Sequence, residues 1–470
     1  MNTKTIALAI AIAFSIGGGN RAMAEFFTAT TAEPGTLADC IGEKLLQIDS
    51  LAVTGPIGND DFITMCEASF SGKLVMVDLS AAQIQGNAIP NSAFSAVEFD
   101  AYGNETCAKF QKIVLPEGIT EIGKYAFWRD KYLREVNIPS SVKSIGSGAF
   151  YCCLNLSVDP LIIPEGVEEI PYYCFQEARS LKRVVLPSSI RYIGESAFEY
   201  STVEEINFPD GLLGIAGRAF VGALLHEVSL PQSCTRLTGE SIFSTNRYLA
   251  KVELPEGIDS IPTYFLRLCE SLTQVNIPSS VTTIGEEAFL DCISLQSVEL
   301  PEGLTKLDEG AFMMTGLTEV TLPYSLESVG KNCFKSAANL AHINSKATTP
   351  PTCVGSMPME AASAANVELR VPTGSAQRYR EAAGWRMFSQ LVESDELIPA
   401  ALEGVRAAEP MSFEATNGGL RISGNGAYAI YSTDGRLVGG GACSEAATVD
   451  LASGIYVVRT AAATTKVAVK

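Results

Sequence analysis

The 470 residues carry 34 Lys and Arg against 53 Asp and Glu, a formal charge of −19, and 47% of them are hydrophobic. That apolar content excludes disorder for the bulk of the chain. The acidity, with no basic cluster, excludes a nucleic-acid binder, whose phosphate contacts require grouped Lys and Arg.

Residues 1–24 read as a secretory signal: Lys4 gives a basic start, Ile6 to Ile16 an apolar core, and Ala22-Met23-Ala24 a small-residue cleavage site. About 11 apolar residues are too few to span a bilayer as a helix. No cysteine precedes Cys40, so a lipoprotein signal is absent. Residues 25–109 are expected to form an N-terminal cap. Pro34 to Leu46 has mixed helical character, Ile48 to Gly55 alternates like a strand, and Gly58 to Ala68 opens with helix-capping residues. Asp60-Asp61 lacks the oxygen-rich loop that a calcium site needs. Lys73 to Phe94 is a degenerate copy of the unit repeated from Phe110 onward, as expected of a solenoid's end.

Residues 110–345 hold ten copies of a unit of about 23 residues, as in "IVLPEGITEIGKYAF" and "VELPEGLTKLDEGAF". Each copy is marked by a proline (Pro116, Pro139, Pro164, Pro187, Pro209, Pro231, Pro255, Pro278, Pro301, Pro323). Each is closed by a phenylalanine (Phe127, Phe150, Phe175, Phe198, Phe220, Phe243, Phe265, Phe289, Phe312, Phe334). The positions three and one before the proline, and three and six after it, are apolar in all forty instances. Chance gives that on the order of 10⁻¹³, so one packing environment is being repeated. Alternation before the proline is strand periodicity, and proline ends the strand because it has no N–H to donate. Gly123, Gly146, Gly194, Gly285 and Gly330 are expected to supply a tight corner. An insertion at Leu154 to Pro160 is expected to protrude. Coils stacked at roughly 4.8 Å would extend roughly 50 Å, each burying its neighbour's apolar face.

The pattern L-x-x-V-x-L-P-x-G-V-x-x-I-G-x-x-A-F resembles the BspA-like leucine-rich-repeat family of bacterial surface proteins. The resemblance extends over roughly residues 45–392, because "LAVTGPIGNDDF" is similar to the family's N-terminal cap and residues 346–392 to its terminal unit. In that unit a strand (Val367 to Val371) precedes a helix from about Ser375, whose Tyr379, Trp385 and Phe388 can cover the last coil. The fold class is therefore expected to be mainly β: a leucine-rich-repeat β-solenoid with a short N-terminal cap and a small C-terminal β-sandwich.

Residues 393–413 are linker-like in composition. In 414–470, "LRISG", "AYAIYSTDGRLVGGG", "ATVDLASGIYVVRT" and "TKVAVK" alternate as strands, with Asp434-Gly435 as a hairpin turn. This module resembles the C-terminal sorting domain of the bacterial type IX secretion system, through "STDGRLV", "LASGIYVV" and "KVAVK", although its loop "RTAAATT" lacks the usual Gly-Lys turn. A retained β-sandwich module without a sorting role is the alternative. The resemblance implies a secretion-machinery partner and the outer surface of a Gram-negative cell.

No nucleophile, phosphate-loop or dinucleotide motif is present, and His226 and His342 are the only histidines. An enzyme, a cofactor and a metal site are not expected. The twelve cysteines fall mainly in repeat-core slots, where a thiol acts as a small hydrophobe. The candidate ligand residues lie on what the copies do not share. Val114, Ile162 and Val185 occupy the outward strand row two before the proline, which turns polar at Asn207, Asn276 and beyond. Trp128, Tyr132, Tyr151, Tyr172 and Tyr192 cluster at the same end, with Tyr125, Tyr173 and Tyr200 nearby. Exposed aromatics offer large rigid contact area at low entropy cost. The expected function is an exported, non-catalytic binding or adhesion protein. Host-matrix or bacterial-surface proteins or glycans are its expected ligands, and a structural or assembly component of the cell envelope is the alternative.

Overall fold

A computed structural model describes residues 25–95, 97–99, 105–397, 411–416, 418–433, 436–460 and 464–469. The signal segment and the Asp434-Gly435 turn fall outside these residues. The N-terminal region is continuous with the repeats. Phe26–Thr30 pairs in parallel with Ser50–Ile57, that strand with Met76–Ile84, and that one with Lys112–Val114 of the first copy. The helix Asn59–Phe70 is anchored by Asp61, buried, which accepts the backbone N–H groups of Gly35, Leu37 and Gly58 at 2.7, 2.9 and 2.8 Å. Asp61 is therefore a structural anchor, its oxygens already occupied by amides.

Each copy runs as a short strand, a proline-led turn, a second short strand and a closing turn. Adjacent copies pair in parallel without register shift, as Ile162 opposite Val185 and Ile193 opposite Ile215 show. The forty periodic apolar side chains all belong to one continuous core. The closing phenylalanines stack ring over ring, with centroids 4.9 Å apart for Phe127–Phe150 and 5.2 Å for Phe150–Phe175. Copy seven departs from expectation. Phe243 N–H donates to Phe265 C=O and Leu266 N–H to Ala288 C=O, which puts Leu266 in the ladder and Phe265 in the preceding alanine slot. Accordingly Phe265 meets Phe243 edge-on at 83°, and the parallel stack resumes at Phe289–Phe312. The step from Ile261 to Leu266 is the same as that from Ile284 to Phe289, so nothing is inserted: copy seven carries leucine in the ladder slot and phenylalanine in the alanine slot.

The expected glycine corner is a different device. None of the five repeat glycines has positive φ; the left-handed residues are a pair four apart in every copy, such as Tyr125 and Arg129, or Tyr264 and Leu268. Gly123 and its equivalents are places where one coil lies against the next: a Cβ on Gly123 would sit 2.6 Å from the Ile89 carbonyl oxygen. The insertion likewise stays within the stack, with Leu156 buried and Ser157 N–H donating to Arg134 C=O at 3.0 Å.

The first-strand face is divided into four sheets, and the breaks have a chemical cause. The first three sheets end on Glu135–Val136, Glu205–Ile206 and Gln274–Val275, each followed by an asparagine. Asn137 Oδ1 accepts Leu115 N–H (2.7 Å), and its Nδ2 donates to Leu115 C=O (3.0 Å). Asn207 does the same to Leu186, and Asn276 to Leu254. Where the row holds another residue, the backbone makes the bond, as in Ile163 N–H to Val185 C=O at 3.0 Å. A primary amide mimics a peptide unit, so the asparagine satisfies the strand behind it while its own backbone pairs no further.

The turns alternate with a two-copy period, Glu-Gly or Asp-Gly in odd copies and residues such as Ser-Ser in even ones. Ser141 Oγ accepts Gly118 N–H and donates to Ile119 C=O, at 2.9 and 2.7 Å, and Ser189 and Ser280 repeat this on copies three and seven. Ser188 and Ser279 hydrogen-bond the preceding turns' Glu165 and Glu256.

Tyr379, Trp385 and Phe388 close the far end, with Trp385 Nε1 donating to Pro351 C=O at 2.7 Å. Gln390–Ser394 is the last parallel strand. Beyond it, Ser412–Thr416, Gly419–Ser432, Leu437–Asp450, Gly454–Thr460 and Thr464–Val469 form an antiparallel module with its own core around Ile422, Ile430 and Val458. The two strands expected at "LRISG" and "AYAIYS" are one continuous strand. No helix among the described residues is long and apolar enough to cross a membrane.

Candidate ligand-binding face

The eight candidate residues occupy three sides of the coil instead of converging on one site. Val114, Ile162 and Val185 lie on the first strands, Tyr192 on a second strand, and Trp128, Tyr132, Tyr151 and Tyr172 in or beside the closing turns. On the strand face, Ile162 (60% exposed) sits beside Val185 (42%), while Val114 is half-buried across the break that follows Asn137. The break opens a notch of about 500 Å³, lined by Val114, Val136, Asn137, Ser157, Val158 and Asp159 among others. Asp159 pairs with Arg183 through two hydrogen bonds of 2.7 and 3.2 Å, and Lys112 with Glu135 at 2.8 Å, so the apolar floor has a charged rim. The notch was not legible in the sequence: the row position of Asn137 marks it only once that amide is known to end a sheet.

The closing turns bring five rings into one chain of contacts. Trp128 meets Tyr125 (6.1 Å between centroids), Tyr172 meets Tyr173 (5.2 Å), and Tyr173 meets Tyr151 (6.1 Å). Tyr125 links the two groups through its neighbour Tyr172; burial, then Tyr172, pushes its phenol pKa up. Tyr125 and Tyr173 hold left-handed backbone, and Gly148 leaves space for the Tyr125 ring, which a Cβ would approach to 2.4 Å. The Arg129 guanidinium lies 5.3 Å from the Trp128 ring centre. Tyr132 and Tyr192 are exposed and stand apart, beside Lys131 and Arg236 respectively.

The closing turn of the first copy also holds a group that sequence reading missed. Asp130 is 1% exposed, and its carboxylate oxygens have no donor in good hydrogen-bonding geometry, the Tyr132 and Leu133 amides being their nearest polar neighbours. Burial drives its pKa well up, against the opposing pull of the Tyr132 and Leu133 amides. Its slot, three past the ladder residue, holds a small apolar residue such as Ala178 or Ala223 in some copies and a donor in others. Cys153 Sγ donates to Phe127 C=O (3.1 Å), Asn246 Nδ2 to Phe220 C=O (2.7 Å) and Cys269 Sγ to Phe243 C=O (3.3 Å). Both cysteines are buried, and burial pushes the Cys269 thiol to about 12. Such thiols are packing groups without nucleophilic character. His226 stacks on Tyr248, and His342 lies 3.5 Å from Glu368 in the paired strand.

A family model described as a BspA-type leucine-rich-repeat region matches residues 95–225 and 214–341. The chain belongs to this family. Among solved structures it is similar to a leucine-rich-repeat protein from Bacteroides ovatus, at 20% identity and TM-score 0.41, covering 63% of this chain and 80% of that one. A leucine-rich cell-surface protein from Faecalibacterium prausnitzii matches at 21% identity and TM-score 0.39, covering 63% and 90%. The pneumococcal vaccine antigen PcpA matches at 17% and 0.43, covering 80% and 94%. No curated protein matches this chain. No enzyme family is indicated by the match to this repeat family.

Proposed function

We infer that this BspA-type protein is exported, lacks catalytic activity, and binds host extracellular-matrix or bacterial-surface proteins or glycans through its first four copies. The observation carrying this reading is the linked ring cluster around Trp128 and Tyr172, in coils whose charges balance. Rigid rings set in an over-determined turn lose little entropy on contact. The mature chain is to be screened against matrix proteins, bacterial cells and polysaccharides beside a Trp128→Ala/Tyr172→Ala variant. Retention of a ligand by the parent and roughly tenfold or greater loss in the variant supports the reading. Equal binding by both forms, or capture of nothing, removes it and favours an envelope structural role.

The C-terminal module is the proposed sorting element, which would place the protein at the outer surface of a Gram-negative cell. Its support is the small antiparallel fold with a core of its own, together with the motif resemblance. Deleting Gly454 to Lys470 is expected to retain the chain inside the cell; normal export of that variant leaves a retained module as the reading.

A further inference from the structure

The geometry points to an intramolecular dock: the turns of copies nine and ten bind the outer face of the C-terminal module, with Arg459 as the inserted side chain. On the solenoid side, Tyr324 stands in the even-copy turn slot that Ser140, Ser188 and Ser279 occupy elsewhere. Its backbone keeps the pattern of that slot, since Tyr324 N–H reaches Glu302 Oε2 (3.3 Å) as Ser188 N–H reaches Glu165 (3.0 Å). Only the side chain differs. The ring is half-buried, its hydroxyl hydrogen-bonds to Leu397 C=O, and the Lys346 ammonium, paired to Glu302, lies 5.6 Å from the ring centre.

On the module side, strand alternation separates two faces. Ile430 and Val458 point into the module's core, so Tyr431 and Arg459 point away from it. An outer face of a small sheet is ordinarily solvated, yet both residues are half-buried. The Arg459 guanidinium lies 5.2 Å from the Tyr324 ring centre and 5.3 Å from that of Tyr431, a planar cation between rings from the two parts of the chain. Its Nε is buried without a hydrogen bond. The Glu302 carboxylate supplies the negative field, and burial accordingly pulls the Arg459 pKa down while Glu302 and the tyrosines oppose it. A guanidinium is the cation suited to this place, being flat and weakly hydrated. The dock makes the solenoid and any external partner of the Tyr431–Arg459 face mutually exclusive. It stands whether or not the module is a sorting signal.

The test is small-angle scattering and hydrogen exchange on the full mature chain, comparing parent, Tyr324→Ser, Arg459→Ala and the double variant. Tyr324→Ser restores the residue found in the same slot at Ser188 and Ser279, so the solenoid turn survives it. Arg421→Ala, which keeps the module but leaves the dock intact, is the control. Each dock variant is expected to increase the maximum dimension and to speed exchange of the Gly454–Thr460 amides roughly tenfold, a cation–π contact's worth. The double variant should add little. Parent scattering that already describes a detached module, or a Tyr324→Ser chain indistinguishable from parent in both measurements, overturns the dock.

Discussion

The first four copies and the last six share a core and differ in what they show to solvent. Residues 110–200 hold 10 Lys and Arg against 11 Asp and Glu, one of the acids being the buried Asp130, while residues 201–345 hold 8 against 18. The linked rings belong to the balanced part; the later copies carry tyrosines outside any such cluster, such as the exposed Tyr248, which meets His226. A stack needs only that each coil match its neighbours inside, so the outside is free to diverge along the axis. Groups that hold the stack are thereby separable from groups available for recognition, and substitutions can perturb one set without the other.

The largest effect is expected from the shared core, and it should be equal in the two parts. Phe175→Ala and Phe312→Ala each remove a fully buried ring from the ladder. Each is expected to cost about 3–5 kcal/mol, read from urea denaturation. A marked difference between them would show that the ladder is not one uniform element.

Asp130 is the exception inside the balanced part. Its folded pKa is raised, so the stability that it contributes is full below the unfolded value of about 3.9 and is lost as pH rises towards the folded value. Asp130→Asn puts in this slot the amide that already serves at Asn246. The variant is expected to be more stable by about 1–3 kcal/mol at pH 7, with the advantage shrinking towards pH 4. Urea midpoints at several pH values decide this, and a destabilised variant at pH 7 would mean the carboxylate has a partner worth keeping.

The asparagines concern the boundaries between strand sheets in both parts. Asn276→Ala strips Leu254 of its N–H acceptor and its C=O donor, at an expected cost of about 1–2 kcal/mol. Hydrogen exchange should accelerate at Leu254 while Leu230, bonded to the Glu253 backbone carbonyl, stays protected. Uniform acceleration across both amides would argue for general loosening in place of a lost cap.

The solenoid was legible because forty apolar positions and ten prolines repeat one environment, and parallel stacking is what such a unit can do with its exposed face. What escaped sequence reading depends on inter-coil distances. The repeat glycines suggested a turn conformation, whereas their reason is the neighbouring coil's backbone at Ile89 and Pro90. Asn137, Asn207 and Asn276 read as an outward polar row, since nothing in one copy shows that a side-chain amide reaches the leucine a coil behind. Phe265 looked like the ladder residue by type, although the step from Pro255 to Leu266 equals that from Pro278 to Phe289, and the hydrogen-bond register places Leu266 in the slot. The candidate ligand residues were chosen by residue type along the sequence. The coil then distributes them over three sides, keeping Trp128, Tyr151 and Tyr172 together and separating Val114, Ile162, Val185, Tyr132 and Tyr192 from them.

The smallest effect is the one that tests the charge difference directly. Adjacent coils lie roughly 4.8 Å apart, inside the roughly 10 Å Debye length at 0.1 M salt, so like charges on successive copies repel. The later copies do contain pairs such as Lys251–Glu253 and Lys306–Asp308, but these are exposed, and such pairs contribute little. With acids outnumbering bases there, screening removes more repulsion than attraction. In the first four copies the charges cancel, and screening weakens contacts such as Arg183–Asp159. Raising salt from 0.1 M to 1 M should therefore slow amide exchange across 201–345 and leave it unchanged or slightly faster across 110–200, with differences below about 1 kcal/mol. Equal slowing in both parts would point to general salting-out of apolar surface, and the charge asymmetry would then have no mechanical consequence for the stack.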